Sequence, residues 1–124
     1  MAVPLLALLL AATPGFTGDW VNGDRSAVIR IAPCGGRLCG RVVRVLARGA
    51  PATDVHNPDA AQRRRPIAGL TVLSGFSASG DGGRAYNPQN GRSYRTTLRL
   101  NRDGTLRVTG CVMIICRSQT WTRR

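Results

Sequence analysis

The sequence predicts an all-β protein: a small antiparallel meander of about eight strands that closes into a barrel. Short segments along the chain alternate between apolar and polar residues, which is the period of a strand. Turn-forming residues separate these segments, and fifteen glycines are spread through the chain. Lysine and glutamate, the usual residues of exposed helices, are absent from the sequence. Together these observations favour strands and hairpins over helices.

The N-terminal residues have the character of a leader. Residues 5–12 form an apolar run that has the length of a signal-peptide core and is too short to span a bilayer. We therefore predict a signal peptide at residues 1–17, with no small-x-small pattern to mark its cleavage site, and a single β-barrel domain at residues 18–124. The mature protein is expected in the periplasm or secreted, and not integral to the membrane.

Alternation marks the strands in order along the chain. Residues 26–32 place isoleucines on one face, and a turn at residues 33–36 leads into a valine-rich second strand at residues 38–46. Residues 47–66 show no sustained period and are predicted to form the longest loop, a kind of segment that often carries function. The remaining strands are predicted at residues 69–76, 84–86, 93–100, 106–110 and 118–123.

The two ends of the chain support closure of the barrel. A closed barrel must pair its first strand with its last, and Trp20 stands near one end of the domain while Arg123 stands near the other. An arginine laid over an indole ring is held there by cation–π attraction. We therefore predict that Trp20 and Arg123 form the seam of the barrel.

Four cysteines form two pairs with identical spacing. In a small exported chain such pairs indicate disulfides, and each pair spans a predicted turn. We therefore predict bonds between Cys34 and Cys39 and between Cys111 and Cys116. A zinc site built from all four thiolates is the alternative, although its usual spacing is shorter. Spacing alone leaves the connectivity open.

Several short motifs occur in an order that is typical of one bacterial family. In these motifs the chain resembles the exported family catalogued as domain of unknown function 2147, and the resemblance covers essentially the whole mature chain. It implies a small exported or periplasmic β-barrel with no established activity. The start at Gly18 and Trp20 with a late arginine is also similar to the lipocalin and calycin barrels, which implies a lipocalin-like barrel. The family motifs are Leu38-Cys39-Gly40-Arg41, Asp54 with Asn57-Pro58, Arg65-Pro66-Ile67-Ala68-Gly69-Leu70, Gly75-Phe76, Tyr86-Asn87-Pro88 with Gly91 and Tyr94, and Gly110 with Gln119-Thr120-Trp121-Thr122-Arg123.

The chain carries a strong positive charge. Eighteen arginines stand against six aspartates, for a formal net charge of +12. Such a surface can hold anionic lipid headgroups or other acidic envelope components, while GC-rich coding would explain the arginines without any partner. Only Arg63, Arg64 and Arg65 form a run, and no aromatic residues are interleaved with it. Nucleic acid is therefore not an expected partner.

A second candidate contact surface lies between the last two cysteines. Residues 112–115 are all apolar, whereas the tip of a hairpin is usually polar. An exposed apolar patch indicates contact with a ligand, a membrane or a partner. Met113 and Ile114 are therefore predicted surface-contact residues, and folding inward as a plug is the alternative.

The candidate ligand-binding residues lie in the long loop and on two later strands. Asp54, His56 and Asn57 belong to the loop, while Tyr86 and Tyr94 are aromatic residues that could line a cavity. We predict a non-enzymatic module that binds a small apolar or amphipathic molecule beside these residues, without a cofactor or metal. In the alternative, the loop residues only shape a turn and the tyrosines fill the core.

Two other functions stay open at this stage. One is an envelope interaction protein that uses its arginines and the apolar tip to contact anionic lipid or a protein. The other is a hydrolase-like enzyme centred on Asp54 and His56, for which the sequence offers no paired nucleophile. No catalytic residue is assigned, because one histidine with one carboxylate is too little to define a reaction or a metal site.

Overall fold

Eight antiparallel strands follow one another along the chain and close into a barrel, as the sequence predicts. The computed structural model describes residues 15–124, so residues 1–14 of the predicted signal peptide lie outside the described residues. A 3-10 helix at Ala60–Gln62 lies in the long loop between the third and fourth strands. The strands are β1 (Gly18–Val21), β2 (Ala27–Cys34), β3 (Arg37–Val45), β4 (Thr71–Phe76), β5 (Gly83–Asn87), β6 (Arg92–Leu100), β7 (Leu106–Val112) and β8 (Ile115–Arg123).

The barrel closes where β1 pairs with β8. Trp20 stands opposite Arg123 in this pairing, and the Arg123 guanidinium lies 4.1 Å from the centroid of the Trp20 ring. The same guanidinium donates hydrogen bonds to the carbonyl oxygens of Thr17 and Gly15, at 3.1 and 3.0 Å. The indole Nε1 of Trp20 donates to the carbonyl of Phe16 at 2.8 Å. Residues 15–17, which the sequence assigns to the leader, are thus bonded to the barrel seam.

Several strands extend further than their alternation predicts. β2 continues through Pro33 to Cys34, so the turn before β3 holds only the two glycines at positions 35 and 36. The last strand begins at Ile115 rather than Ser118, which leaves Met113 and Ile114 as the whole hairpin turn. The strands are longer because backbone pairing continues past the point where the apolar alternation stops.

An up-and-down barrel places successive connections at alternate ends. The connections after β2, β4 and β6 lie at one end, together with residues 15–17. This is the closed end of the barrel, because Trp20, Phe76, Leu98 and Leu106 fill its interior and are completely buried. The connections after β1, β3, β5 and β7 lie at the opposite end, which we call the open end.

Each end carries one disulfide. Cys34 is bonded to Cys39 across β2 and β3 at the closed end, and Cys111 is bonded to Cys116 across β7 and β8 at the open end. These are the predicted local pairs, and they remove the alternative of a four-thiolate zinc site. Within residues 15–124 the chain forms no helix that is long and apolar enough to cross a bilayer.

Candidate functional site

A cavity of about 530 Å³ occupies the open half of the barrel and opens between the four connections of the open end. Ligand pockets for small molecules are typically about 300–1,000 Å³ and are lined mainly by apolar side chains. The deep wall of this cavity is apolar in the same way. It is formed by side chains that the strand alternation points inward, among them Ile29, Val42, Leu73, Val108 and Trp121.

The middle of the barrel shows why the cavity exists. Thr96 on β6 stands between two glycines, Gly83 on β5 and Gly110 on β7. The ring of Phe76 packs directly on Gly83 and occupies the place where a side chain would begin. A side chain at Gly110 would meet Tyr94 only in ordinary van der Waals contact, with the nearest atom at 3.4 Å. Phe76 therefore closes the barrel on one side of Thr96, and the space beside Gly110 stays open.

Polar side chains surround the mouth of the cavity. Gln89, in the connection after β5, donates a hydrogen bond of 2.9 Å to the carboxylate of Asp24, in the connection after β1. Four strands separate these connections in an eight-stranded barrel, so the bond joins opposite sides of the rim. On β6, the hydroxyl of Tyr94 accepts a bond of 2.9 Å from Asn90. The rim is thus polar and partly tied together by its own hydrogen bonds.

One arginine is among the described residues that line this cavity. Arg117 lies on β8 between Ile115 and Gln119, and all three line the cavity together with Trp121. Its partner in the register is Gly110, which has no side chain to fill the space beside it. The alternation in the sequence does not indicate Arg117, because the predicted last strand begins at Ser118. Its spacing of four residues from Trp121, an even number that places both side chains on one face of a strand, was the signal that could have found it.

A buried carboxylate anchors the long loop. Asp54 is 0% exposed and accepts three hydrogen bonds, from Asn57 Nδ2 at 2.8 Å, the Tyr86 hydroxyl at 2.7 Å and Arg65 Nε at 2.9 Å. Burial alone would raise the pKa of Asp54, but these bonds and the Arg65 charge outweigh it and lower the pKa. Burial and the contact with Asp54 raise the pKa of Tyr86. The Arg65 guanidinium also lies 5.4 Å from the centroid of the Tyr86 ring.

The predicted ligand-binding residues divide into two groups in the structure. His56, Tyr86 and Tyr94 line the cavity, whereas Asp54 and Asn57 are buried in the loop network. Among the described residues, no hydrogen bond joins Asp54 to His56, and no group of three or more histidine, cysteine or acidic residues could hold a metal ion. The loop residues thus position Tyr86, and the tyrosines and His56 are the members of the predicted set that line the cavity.

The predicted surface-contact residues also lie in two different settings. Arg63 donates to the carbonyl of Asn57 at 2.8 Å, and Arg65 is held by Asp54, so these two arginines bind the loop itself, while Arg64 is exposed. Met113 and Ile114 project from the β7–β8 turn and are 82% and 94% exposed. The apolar tip is therefore at the surface and is not folded inward as a plug.

Comparison with known proteins gives a family and a fold. Residues 18–123 match the family described as "Uncharacterized protein conserved in bacteria (DUF2147)". Among solved structures the chain is similar to protein HP1028 from the human pathogen Helicobacter pylori, which belongs to the lipocalin family. The TM-score is 0.81 at 21% identity, over 90% of this chain and 84% of that one. No curated protein matches the chain. The predicted lipocalin-like barrel is thereby confirmed.

Proposed function

We propose that this chain, which belongs to the bacterial DUF2147 family, is a non-enzymatic binding module that holds one small apolar or amphipathic molecule in its barrel. The observation that carries the proposal is the cavity of about 530 Å³ in the open half of the barrel. Small eight-stranded barrels either fill their interior with side chains or hold one small ligand, as lipocalins do. In this barrel, side chains fill the closed half, and the open half has space for a ligand.

The chemistry of the walls favours an apolar body for this ligand. Ile29, Val42, Leu73 and Val108 line the cavity and are nearly completely buried from solvent, and the Trp121 indole lies beside them. An apolar molecule that enters this space removes its own surface from water, which favours binding by roughly 25 cal/mol for each Å². The disulfides support a periplasmic or secreted location, where such bonds persist.

Binding of a neutral apolar fluorophore, N-phenyl-1-naphthylamine, tests the proposal. We expect saturable binding of one equivalent, with the fluorescence increase of a dye that leaves water. Thr96 and Thr97 are neighbours on β6, but only Thr96 lines the cavity. Thr96→Phe should fill the space beside Gly110 and weaken binding about tenfold or more, while Thr97→Phe, the matched control, should bind as the wild type does. Equal binding by both variants, with both folded by circular dichroism, would contradict the proposal.

A second candidate function is contact with anionic lipid through the apolar tip. Val112 and Ile115 line the cavity and also stand beside the exposed Met113 and Ile114, so the tip adjoins the mouth. The Arg95 guanidinium donates to the carbonyl of Met113 at 2.8 Å and adds a positive charge directly beneath the tip. Apolar side chains above a basic group match a bilayer surface that carries negative headgroups.

Sedimentation with vesicles tests this second candidate. Wild-type protein should bind vesicles that contain about a third phosphatidylglycerol more strongly than pure phosphatidylcholine vesicles, and added salt should weaken the binding because it screens the charges. Ile114→Ser should weaken binding to the anionic vesicles. Val43→Ser removes an exposed apolar residue from β3 instead and is the control. If the wild type and Ile114→Ser bind the anionic vesicles equally well, the tip does not mediate the contact with lipid.

A further inference from the structure

We infer that Arg117 binds the anionic head group of the ligand, so that the molecule held in the cavity is an amphiphile with a carboxylate at the mouth and an apolar tail inside. The inference rests on the proposed function, because it names the chemical class of the molecule that the same cavity takes. Three observations carry it: the direction of Arg117, its position above the apolar wall, and the engagement of every aspartate elsewhere.

The direction of Arg117 follows from the strand. Side chains on β8 alternate, and the residues two positions away on either side, Ile115 and Gln119, line the cavity as Arg117 does. The opposite residue on β7 is Gly110, and the nearest side chain to that glycine is Tyr94. Arg117 therefore borders the space beside Gly110 and Tyr94 rather than a packed wall. Arg117 is exposed to solvent, so its side chain is accessible to an anionic head group that enters the cavity.

No aspartate of the chain is paired with Arg117. Asp24 is the acidic residue that faces the cavity, and its carboxylate is bonded to Gln89 and to the backbone amide of Ser26 rather than to Arg117. All six aspartates of the chain belong to the described residues, and each has a partner other than Arg117. The partners are Arg30 for Asp19, Gln89 for Asp24, Arg65 for Asp54, Ala61 for Asp59, Arg99 for Asp81 and Thr105 for Asp103.

The position of Arg117 orients the ligand. Along β8, Gln119 and then Trp121 follow Arg117 toward the closed end, where Trp121 is buried. A head group bound to Arg117 thus lies near the mouth, and a tail that extends inward meets Trp121, Val108 and Leu73. Leu98 and Leu106 are completely buried and fill the interior beyond this wall, which limits the depth that the tail can reach. This arrangement selects a short or medium-length tail.

A carboxylate suits this site better than a more highly charged group. The guanidinium is a planar fork of donors that matches the two oxygens of a carboxylate. Arg117 brings one positive charge, and the Asp24 carboxylate on the same rim would repel additional negative charge. A head group with a single negative charge is therefore expected.

Three ligands with the same tail test the inference: decanoate, 1-decanol and decyl phosphate, each measured by displacement of N-phenyl-1-naphthylamine. Wild-type protein should bind decanoate about 10–100-fold more tightly than 1-decanol, the ratio expected for hydrogen bonds to a charged group. Arg117→Gln should reduce this ratio to about threefold or less, while its affinity for 1-decanol stays the same. Arg107→Gln changes the net charge equally on an exposed, outward-facing position of β7 and should keep the full ratio.

The outcomes separate the inference from the proposed function. If neither N-phenyl-1-naphthylamine nor 1-decanol binds the wild type, the proposed function fails and the inference fails with it. If both bind but decanoate binds no more tightly, or if Arg117→Gln retains the ratio, the inference alone is overturned. Decyl phosphate bound about tenfold more tightly than decanoate would overturn the assignment of a carboxylate. Arg117→Lys keeps the charge without the planar fork and should show an intermediate ratio, which provides a second test if Arg117→Gln unfolds.

Discussion

The closed and open ends of this barrel are built from the same strands but use their interiors differently. At the closed end, Trp20, Phe76 and Leu98 fill the space between the strands and are completely buried. At the open end, the same strands surround a cavity of about 530 Å³ that is lined by apolar side chains and bordered by polar ones. Packing density stabilises a fold, whereas a ligand needs a space that side chains leave empty.

This difference separates stability from binding along the barrel axis. Substitutions at the closed end remove packed side chains and should change the free energy of unfolding. Residues at the open end face solvent or the cavity, so their substitution should change what the barrel binds. The separation holds only if the two ends respond differently to matched substitutions, and the following comparisons test it.

Truncation of one large apolar side chain at each end should give the largest contrast. Leu98 is 0% exposed within the closed end, whereas Ile115 is 68% exposed at the open end. Leu98→Ala should lower the free energy of unfolding by about 2–5 kcal/mol, because it removes packed atoms and leaves a cavity. Ile115→Ala should change it by about 0.5 kcal/mol or less. Urea unfolding measures both, and losses of equal size would contradict the division between the ends.

The two glycines beside Thr96 offer a smaller and more closely matched contrast. Gly83→Ala places a methyl group against the Phe76 ring and should destabilise the protein by about 1–3 kcal/mol. Gly110→Ala has room for its methyl group and replaces a flexible residue within a strand, so it should be neutral or stabilising by up to about 1 kcal/mol. Thermal unfolding followed by circular dichroism compares them. A loss of stability in Gly110→Ala as large as that in Gly83→Ala would show that the barrel is packed equally tightly on both sides of Thr96.

The closed end was the more predictable part of the molecule. Apolar alternation indicates which side of a strand faces a dry core, and there it placed Ile31 and Leu98 inward in agreement with their burial. The seam between Trp20 and Arg123 was accessible because closure requires the first and last strands to meet. At these positions the burial of apolar surface determines both the apolar alternation in the sequence and the inward direction of the side chains.

The open end could not be predicted in the same way. Its interior positions on β8 carry Arg117 and Gln119, because the wall there meets water and a head group rather than a core. Apolar alternation therefore places the start of the strand too late, at Ser118, and leaves out the arginine. The network of Asp54, Arg65 and Tyr86 was also missed as a unit, because it joins residues up to 32 positions apart through a loop without periodicity.

Residues 15–17 supply a further test of how the closed end is sealed. Phe16 packs against the core, its carbonyl accepts from Trp20, and the carbonyls of Gly15 and Thr17 accept from Arg123. A chain that begins at Gly18 loses these contacts and should be less stable than one that begins at Gly15 by about 2–4 kcal/mol, the net worth of three hydrogen bonds. Urea unfolding of the two chains measures the difference. Identical midpoints would mean that the segment adds nothing to the seam.

Acid provides the final contrast, between a buried carboxylate in the open-end loop and an exposed one at the closed end. The pKa of Asp54 is lowered in the folded state, so the unfolded chain binds more protons near the ordinary value of 3.8. The stability that Asp54 contributes is therefore complete above that value and is lost as the pH falls through the folded pKa.

The hydrogen bond from Arg99 lowers the pKa of Asp81 as well, but Asp81 is 53% exposed and solvent screens its ion pair. Asp54→Asn should therefore flatten the fall in stability between about pH 5 and pH 2 more than Asp81→Asn does. Urea unfolding at successive pH values gives the slopes. If Asp81→Asn flattened the curve more, the exposed pair at the closed end would dominate acid sensitivity, and the Asp54 network would not be the main electrostatic anchor of the open-end loop.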